Sequence, residues 1–323
     1  MITRRRLLAT SAAAALAPAV TGRAQAQNWP NRFVRLIVPI APGGPTDVAA
    51  RVMAEPLSRL WGQQVVVENK PGGGTNIGSE MVARSNPDGY TILYATASLA
   101  VAPSLYRTLG YDPVADLAPV ANIFTFPFYM FVPNSSPAKS LRAFIAYAKA
   151  NPGKLTMASP GTGSAPHLAA ELFKKMAGLD LVHVPYRGAG PVLNDLIPGR
   201  VDMYIASGSL LENVRAGQIR GLATTGLKPD PAAPDLPPIA EAVPGYEVMA
   251  WQGMFVPAKT PPAIIKTINA GALAALNDPN VKAKAELIGY VPVGSTPEEL
   301  GKMLKRDIAK WGAVIKDAGL KVN

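Results

Sequence analysis

The 323-residue chain has no cysteine and only two histidines, His167 and His183. Without cysteine there is no disulfide scaffold, no thiolate metal site and no cysteine nucleophile. Two imidazoles are too few for most histidine zinc centres, which need two or three plus a carboxylate. Neither a metal nor a cofactor is expected. No run of five or six like charges occurs. The basic clusters, Lys174-Lys175 and 302–306, are sparse, helically spaced and free of interleaved aromatics. They suit solvated faces, and nucleic acid is not an expected partner. Catalytic motifs are missing too. There is no G-x-S-x-G elbow and no H-E-x-x-H. Asp47, Glu68, Asp195 and Asp202 are too scattered to make a carboxylate pair. No activity as an enzyme is expected.

What is present is apolar and segmented. Hydrophobic residues make up 48%, enough for packed cores, and a chain this long usually forms two domains. The 29 Gly and 32 Pro, about one residue in five, fall below the roughly 25–30% that marks disorder. At the start, Arg4-Arg5-Arg6, Leu7-Leu8, an Ala-rich apolar run and Ala24-Gln25-Ala26 follow the order of a secretory signal. The consecutive arginines suggest twin-arginine export. The apolar run of about 14 residues is too short for a bilayer core, which needs roughly 20. A cleaved leader at 1–26 is therefore expected. The remaining 297 residues carry 28 Lys and Arg against 22 Asp and Glu, a net charge of +6. At most this gives a weak bias toward anionic small molecules.

From residue 33 onward, β-branched runs alternate with helical stripes. Strands are expected at 33–38, 64–68 and 91–95, with helices at 47–60 and 77–84 between them. Pro56 should kink or shorten the first helix. The pattern returns with helices at 140–150, 165–177 and 192–197 and strands at 155–158, 181–184, 201–206 and 219–224. Such alternation predicts parallel sheet covered on both faces. The segment 228–238 suits a surface loop, and three helices are expected at about 261–277, 279–288 and 297–318. Two apolar runs, 123–132 and 248–256, suit strands crossing between two lobes, the first lobe being built from both chain ends. The expected lobes are 27–125 with 252–323, and 126–251. Two ordinary sequential domains fit the same pattern.

Three loops carry the chemistry. PIAPGGPTD at 39–47 follows a strand and opens a helix. Gly43 and Gly44 permit close approach of the backbone. Thr46 or Asp47 can cap the helix while other first-turn N–H groups stay free for an anion. SPGTGSAPH at 159–167 has the same grammar. Its Ser159, Thr162 and Ser164 hydroxyls can donate to carboxylate oxygens, and His167 either donates at the site or bonds locally. It is not G-x-G-x-x-G, so no dinucleotide site is expected. In HVPYRGAG at 183–190, Tyr186 and Arg187 follow a strand, and Arg187 can grip a carboxylate. Smaller candidates are 72–76 (GGGTN), Thr96, Ser98, Asp202 and Ser207. Each loop also suits an ordinary connection to a capped helix.

Several stretches, among them RFVRLIVPIAPGGPTDVAAR, PGGGTNIGSEMVARSNPDGYTILY, PGKLTMASPGTGSAPHLAAELFKKMAG, HVPYRGAGPVLNDLIPGRVDMYIAS and WQGMFVPAKTP, resemble the Bug-type receptors of tripartite tricarboxylate transporters. The resemblance runs from Trp29 to the C-terminal helix. It implies a periplasmic, type II-like binding fold of two α/β lobes, each a mixed, mostly parallel sheet flanked by helices, with two crossover strands. It also implies an interlobe cleft that closes on a small carboxylate held by amides, hydroxyls and water. The family's binding positions fall on Pro42, Gly43, Gly44, Thr46 and Asp47, and on Ser159, Gly161, Thr162, Gly163, Ser164 and His167, with Tyr186 and Asp202 as weaker matches. Two departures stand out: Ala206-Ser207 where members often carry an acid, and Pro45 for a small or polar residue. The first suggests a ligand without an amino group, such as a dicarboxylate or an aromatic acid. Phe126, Phe128 and Tyr129 suit core positions or contacts to an aromatic ring. The implied partners are membrane permease subunits. The alternatives are a sensor that addresses a membrane kinase, and a hydrolase using Ser164 with His167 or His183.

Overall fold

A computed structural model describes residues 29–321; the expected leader at 1–26 lies outside them. Strand β1 (Val34–Val38) is apolar and β-branched, and the buried Pro39 follows its end. Then come α1 (Pro45–Trp61), β2 (Val65–Asn69), α2 (Asn76–Ala83), β3 (Thr91–Thr96) and α3 (Ser98–Leu105). Strand β1 pairs in parallel with both β2 and β3. Three parallel strands thus deliver three helix N-termini to one edge of one sheet. Helix α1 runs unbroken for 17 residues through Pro56. That ring is buried beside Val52, Met53 and Leu57, and packing there offsets the lost hydrogen bond. Helix α3 has no counterpart among the helices expected from periodicity. Its sequence, SLAVAPSL, is apolar nearly all round, and Leu99, Ala100, Val101, Ala102 and Leu105 are all buried.

The apolar run at 123–132 divides into β4 (Leu117–Pro127) and β5 (Tyr129–Pro133), which lie in different sheets with Phe128 between them. The second lobe continues with α4 (Leu141–Ala150), β6 (Thr156–Ser159), α5 (Ala165–Ala177), β7 (Val182–Pro185), α6 (Ala189–Leu196), β8 (Met203–Ala206), α7 (Leu211–Arg215) and β9 (Ile219–Thr224). Strand β10 (Met249–Pro257) returns to the first sheet. Helix α8 (Pro262–Leu276), α9 (Pro279–Leu287), β11 (Val291–Pro292) and α10 (Pro297–Asp317) complete the chain. The sheet orders are β11-β4-β10-β3-β1-β2 and β7-β6-β8-β5-β9. Pairs within the βαβ units are parallel. Every pair made by β4, β5 or β10 is antiparallel. The sheets are mixed because these strands enter from the crossings.

One side chain ties the two crossings together. Thr225 is fully buried. Its Oγ1 accepts from Phe128 N–H at 2.7 Å and donates to the Val248 carbonyl at 2.6 Å. Its backbone bonds the same two residues, with Thr225 N–H on Phe128 O and Val248 N–H on Thr225 O, each at 2.9 Å. Thr225→Val keeps the shape and removes the hydroxyl. The expected loss in urea unfolding is about 1–3 kcal/mol, the cost of leaving buried groups unpaired; an unchanged midpoint would show that the hydroxyl ties nothing.

Candidate ligand-binding cleft

A cleft of about 410 Å³ lies between the lobes at the carboxyl ends of the parallel strands, where open α/β sheets place ligands. Lobe one contributes 39–41 from the β1–α1 loop, Gly72, Gly74 and Thr75 before α2, and Ser98, Val101, Leu105 and Tyr106 of α3 and its end. Lobe two contributes 161–164. None of these described lining residues is charged. Polarity comes instead from backbone and hydroxyls at helix starts. Thr75 is the N-cap of α2, Ser98 opens α3, and Ser164 is the N-cap of α5. Positive dipole ends therefore meet at a neutral cleft. Leu105 faces Gly163 across it so closely that a Cβ on Gly163 (φ +78°) would lie 2.5 Å from Leu105 Cδ2. Thr75 is, among the described residues, the one non-glycine with positive φ, at 86°. Gly74 precedes it at φ +62°, where a Cβ would collide with the Tyr106 hydroxyl.

The loops are held from behind by buried acceptors. Asp47 accepts from Gly43 N–H at 2.9 Å, Arg51 Nε at 3.0 Å and Asn69 Nδ2 at 2.9 Å. Burial pushes its carboxyl up, but these donors, Arg51 foremost, outweigh that and hold it below its ordinary value. Among the described residues no side chain caps α1, and Pro45 occupies its first turn. The N–H groups of Thr46 and Asp47 thus have no acceptor within the helix. In lobe two, Ser159 Oγ accepts from Gly161 N–H at 3.2 Å and bonds His183 Nε2 at 2.7 Å. His167 Nδ1 accepts from Gly163 N–H at 3.0 Å. The two imidazoles stack with centroids 3.7 Å apart.

The residues matching the family model for the tripartite tricarboxylate transporter family receptor are 49–320. The chain is 34% identical to Protein BugT of Bordetella pertussis over 98% of each chain. It is also similar to solved structures from Rhodopseudomonas palustris. Rpa4515 with adipate is 38% identical, with a TM-score of 0.78 over 91% of this chain and all of that one. MatC with bound malate is 30% identical, with a TM-score of 0.72 over 89% of this chain and all of that one. The chain belongs to the tripartite tricarboxylate transporter receptor family.

Within this receptor the sequence candidates fall into distinct places. Gly161, Thr162, Gly163, Ser164 and Ser98 line the cleft. Thr96 sits behind Ser98, whose N–H it accepts at 3.4 Å. Pro42, Gly43, Gly44 and Thr46 continue the loop beyond its lining segment, and Thr46 Oγ1 accepts from Gln252 Nε2 at 2.9 Å. Asp47, Ser159 and His167 are buried and bond the loops from behind. Tyr186 is turned away, its hydroxyl donating to Asp195 at 2.8 Å. Arg187 is exposed outside the cleft. Asp202 lies at the wrong edge. Its carboxylate accepts from Thr156 N–H at 2.7 Å, at the amino ends of β6 and β8, opposite the binding edge. Ser207 bonds Ser209 at 3.0 Å. Ser164 Oγ donates to Gly161 O at 2.7 Å and caps His167 N–H at 3.4 Å, which leaves no Ser164–imidazole pair. Phe126 stacks on Tyr290 with centroids 4.2 Å apart, and Phe128 and Tyr129 are buried. Sequence reasoning underweighted 72–75. Its signal was the glycine triplet, but a threonine with positive φ leaves no mark in sequence.

His183 is lowered from 6.5 to about 4, first by burial and then by His167. Between those values the unfolded chain takes up a proton that the folded one refuses. The contribution of His183 to stability is therefore flat above pH 6.5 and falls as the pH drops toward about 4. Thermal melts of His183→Gln should lose most of this slope; an equally steep fall would assign it to other groups. Gly163→Ala should weaken ligand binding by pushing Leu105 away, and its strained backbone at φ +78° should also lower stability in urea by about 1 kcal/mol or more. Unaltered affinity would mean that the lobes do not close on this contact.

Proposed function

We propose that the protein is an exported periplasmic receptor that captures a small dicarboxylate between its lobes and presents the closed form to the membrane subunits of a tripartite transporter. The observation that carries this reading is the composition of the cleft. Gly-, Ser- and Thr-rich helix starts from both lobes face one space, and no described lining residue is charged. Helix N-termini favour anions, and no acid is among the described lining residues to repel them. No carboxylate stands ready for an ammonium group, which disfavours amino acids. The volume suits a ligand the size of malate or adipate, the compounds bound by the two related receptors. In this reading the expected bodies, 27–125 with 252–323 and 126–251, shift their boundaries by a few residues to hinges at Phe128 and Val248, because β4 runs to Pro127 and β10 starts at Met249. A ligand that touches both favours closure by its differential affinity for the closed state.

Titration calorimetry on residues 27–323 tests the reading. Adipate or malate should bind, and aspartate should bind far more weakly. Among the described residues the Ser98 and Thr162 hydroxyls have no hydrogen-bond partner within the protein. Ser98→Ala and Thr162→Ala should each cost about 0.5–3 kcal/mol of affinity, the range from a net hydrogen bond to an orphaned partner. Unchanged affinity in both variants, or preference for aspartate, contradicts the assignment.

A further inference from the structure

The loop at 161–164 is shaped from behind by two stacked imidazoles, His167 buried and His183 half-buried. Alternate amides are drawn inward: Gly161 N–H to Ser159 Oγ, itself on His183, and Gly163 N–H to His167 Nδ1. Thr162, between them, is exposed, and its N–H has no internal acceptor among the described residues. This alternation is what offers the Thr162 amide to the cleft. We infer that His167 is a positioning residue whose neutral imidazole sets the loop by accepting from Gly163 N–H, so that protonation at Nδ1 releases the loop and weakens ligand binding in acid.

The geometry makes the two events exclusive. Nδ1 has one lone pair, and either Gly163 N–H or a proton can use it. The other nitrogen, Nε2, lies 3.4 Å from Glu171 Oε1 and has no closer acceptor among the described residues. With Nδ1 accepting, Nε2 carries the hydrogen and faces that carboxylate. Lys174 Nζ holds the other Glu171 oxygen at 2.8 Å. Burial raises the Glu171 carboxyl, but His167 and Lys174 outweigh it and hold it below its ordinary value. The remaining neighbours are few. His183 is stacked on the ring, Ser159 is neutral, and β8 presents only uncharged residues. From α10, Asp317 pairs with Lys175, and Arg306, Asp307 and Lys310 line a cavity with Leu172 and Met176, all further along α5. Across the cleft the facing residue is Leu105.

Nitrogen-detected NMR of the histidines, with amide exchange, tests this on the ligand-free wild type. His167 Nδ1 is expected to be an unprotonated acceptor coupled to the Gly163 amide, which exchanges more slowly than that of Thr162. Acidification that protonates His167 should abolish the coupling and the protection together. A protonated Nδ1 at neutral pH, or a Gly163 amide as open as Thr162, overturns the inference. The binding arm rests on the dicarboxylate reading and uses adipate, with malate as second probe. His167→Asn, whose Oδ1 can replace Nδ1, should keep affinity and lose the acid response. His167→Gln should bind about tenfold more weakly, the equivalent of one net hydrogen bond. Glutamine binding as tightly as wild type, with the same acid response, contradicts the role. Failure of wild type to bind either acid counts against the ligand reading, and the NMR arm still decides the role of His167.

Discussion

A peptide N–H taken out of water must find an acceptor, and around this cleft the acceptors sit behind the backbone. Asp47 takes Gly43, Ser159 takes Gly161, and His167 takes Gly163. Each commitment fixes a loop and so decides which neighbouring amides stay uncommitted. The site is built by subtraction: its donors are those that buried side chains leave unused. This explains why residues with evident hydrogen-bonding chemistry are withdrawn from the cleft while a plain threonine amide is exposed to it.

The electrostatics follow from the same economy. The lobes keep their ion pairs away from the cleft lining, as in Arg35–Glu68 and Lys175–Asp317. At the cleft, partial charges on helix starts replace whole charges. Such dipoles cost little to bury and release a ligand more readily than a buried arginine pair would, since breaking a paired buried charge is costly. A receptor that must both capture and surrender an anion is well served by this arrangement. Across the cleft Leu105 lies so near Gly163 that a Cβ there would meet it.

Much of this was legible in the sequence. The loops at 39–47 and 159–167 announce themselves by strand, glycine, hydroxyl and helix, and the run at 123–132 marks a crossing. The sequence does not show which edge of a sheet a residue occupies. Asp202 and Tyr186 therefore looked like ligand contacts, though one clamps the far edge and the other turns to Asp195. Side-chain direction was equally hidden. His167 has the chemistry of a ligand donor, and packing on His183 turns it inward. Helix α3, which supplies Ser98 and Leu105, lacked a polar stripe because it is buried on nearly every side. The stretch 72–76 was visible only as a minor glycine-rich candidate, because propensity assigns positive φ to glycine and asparagine and gives no sign of it at Thr75.

The central claim is that backbone amides and hydroxyls from both lobes, without a charged side chain, hold one anion. A crystal structure of the protein with adipate tests it most directly. The expected result is a closed form with one carboxylate within hydrogen-bond distance of the Thr162 amide and the ligand also touching Ser98 or Thr75. Adipate held by Arg187, or seated in a cavity away from 161–164, would contradict the account.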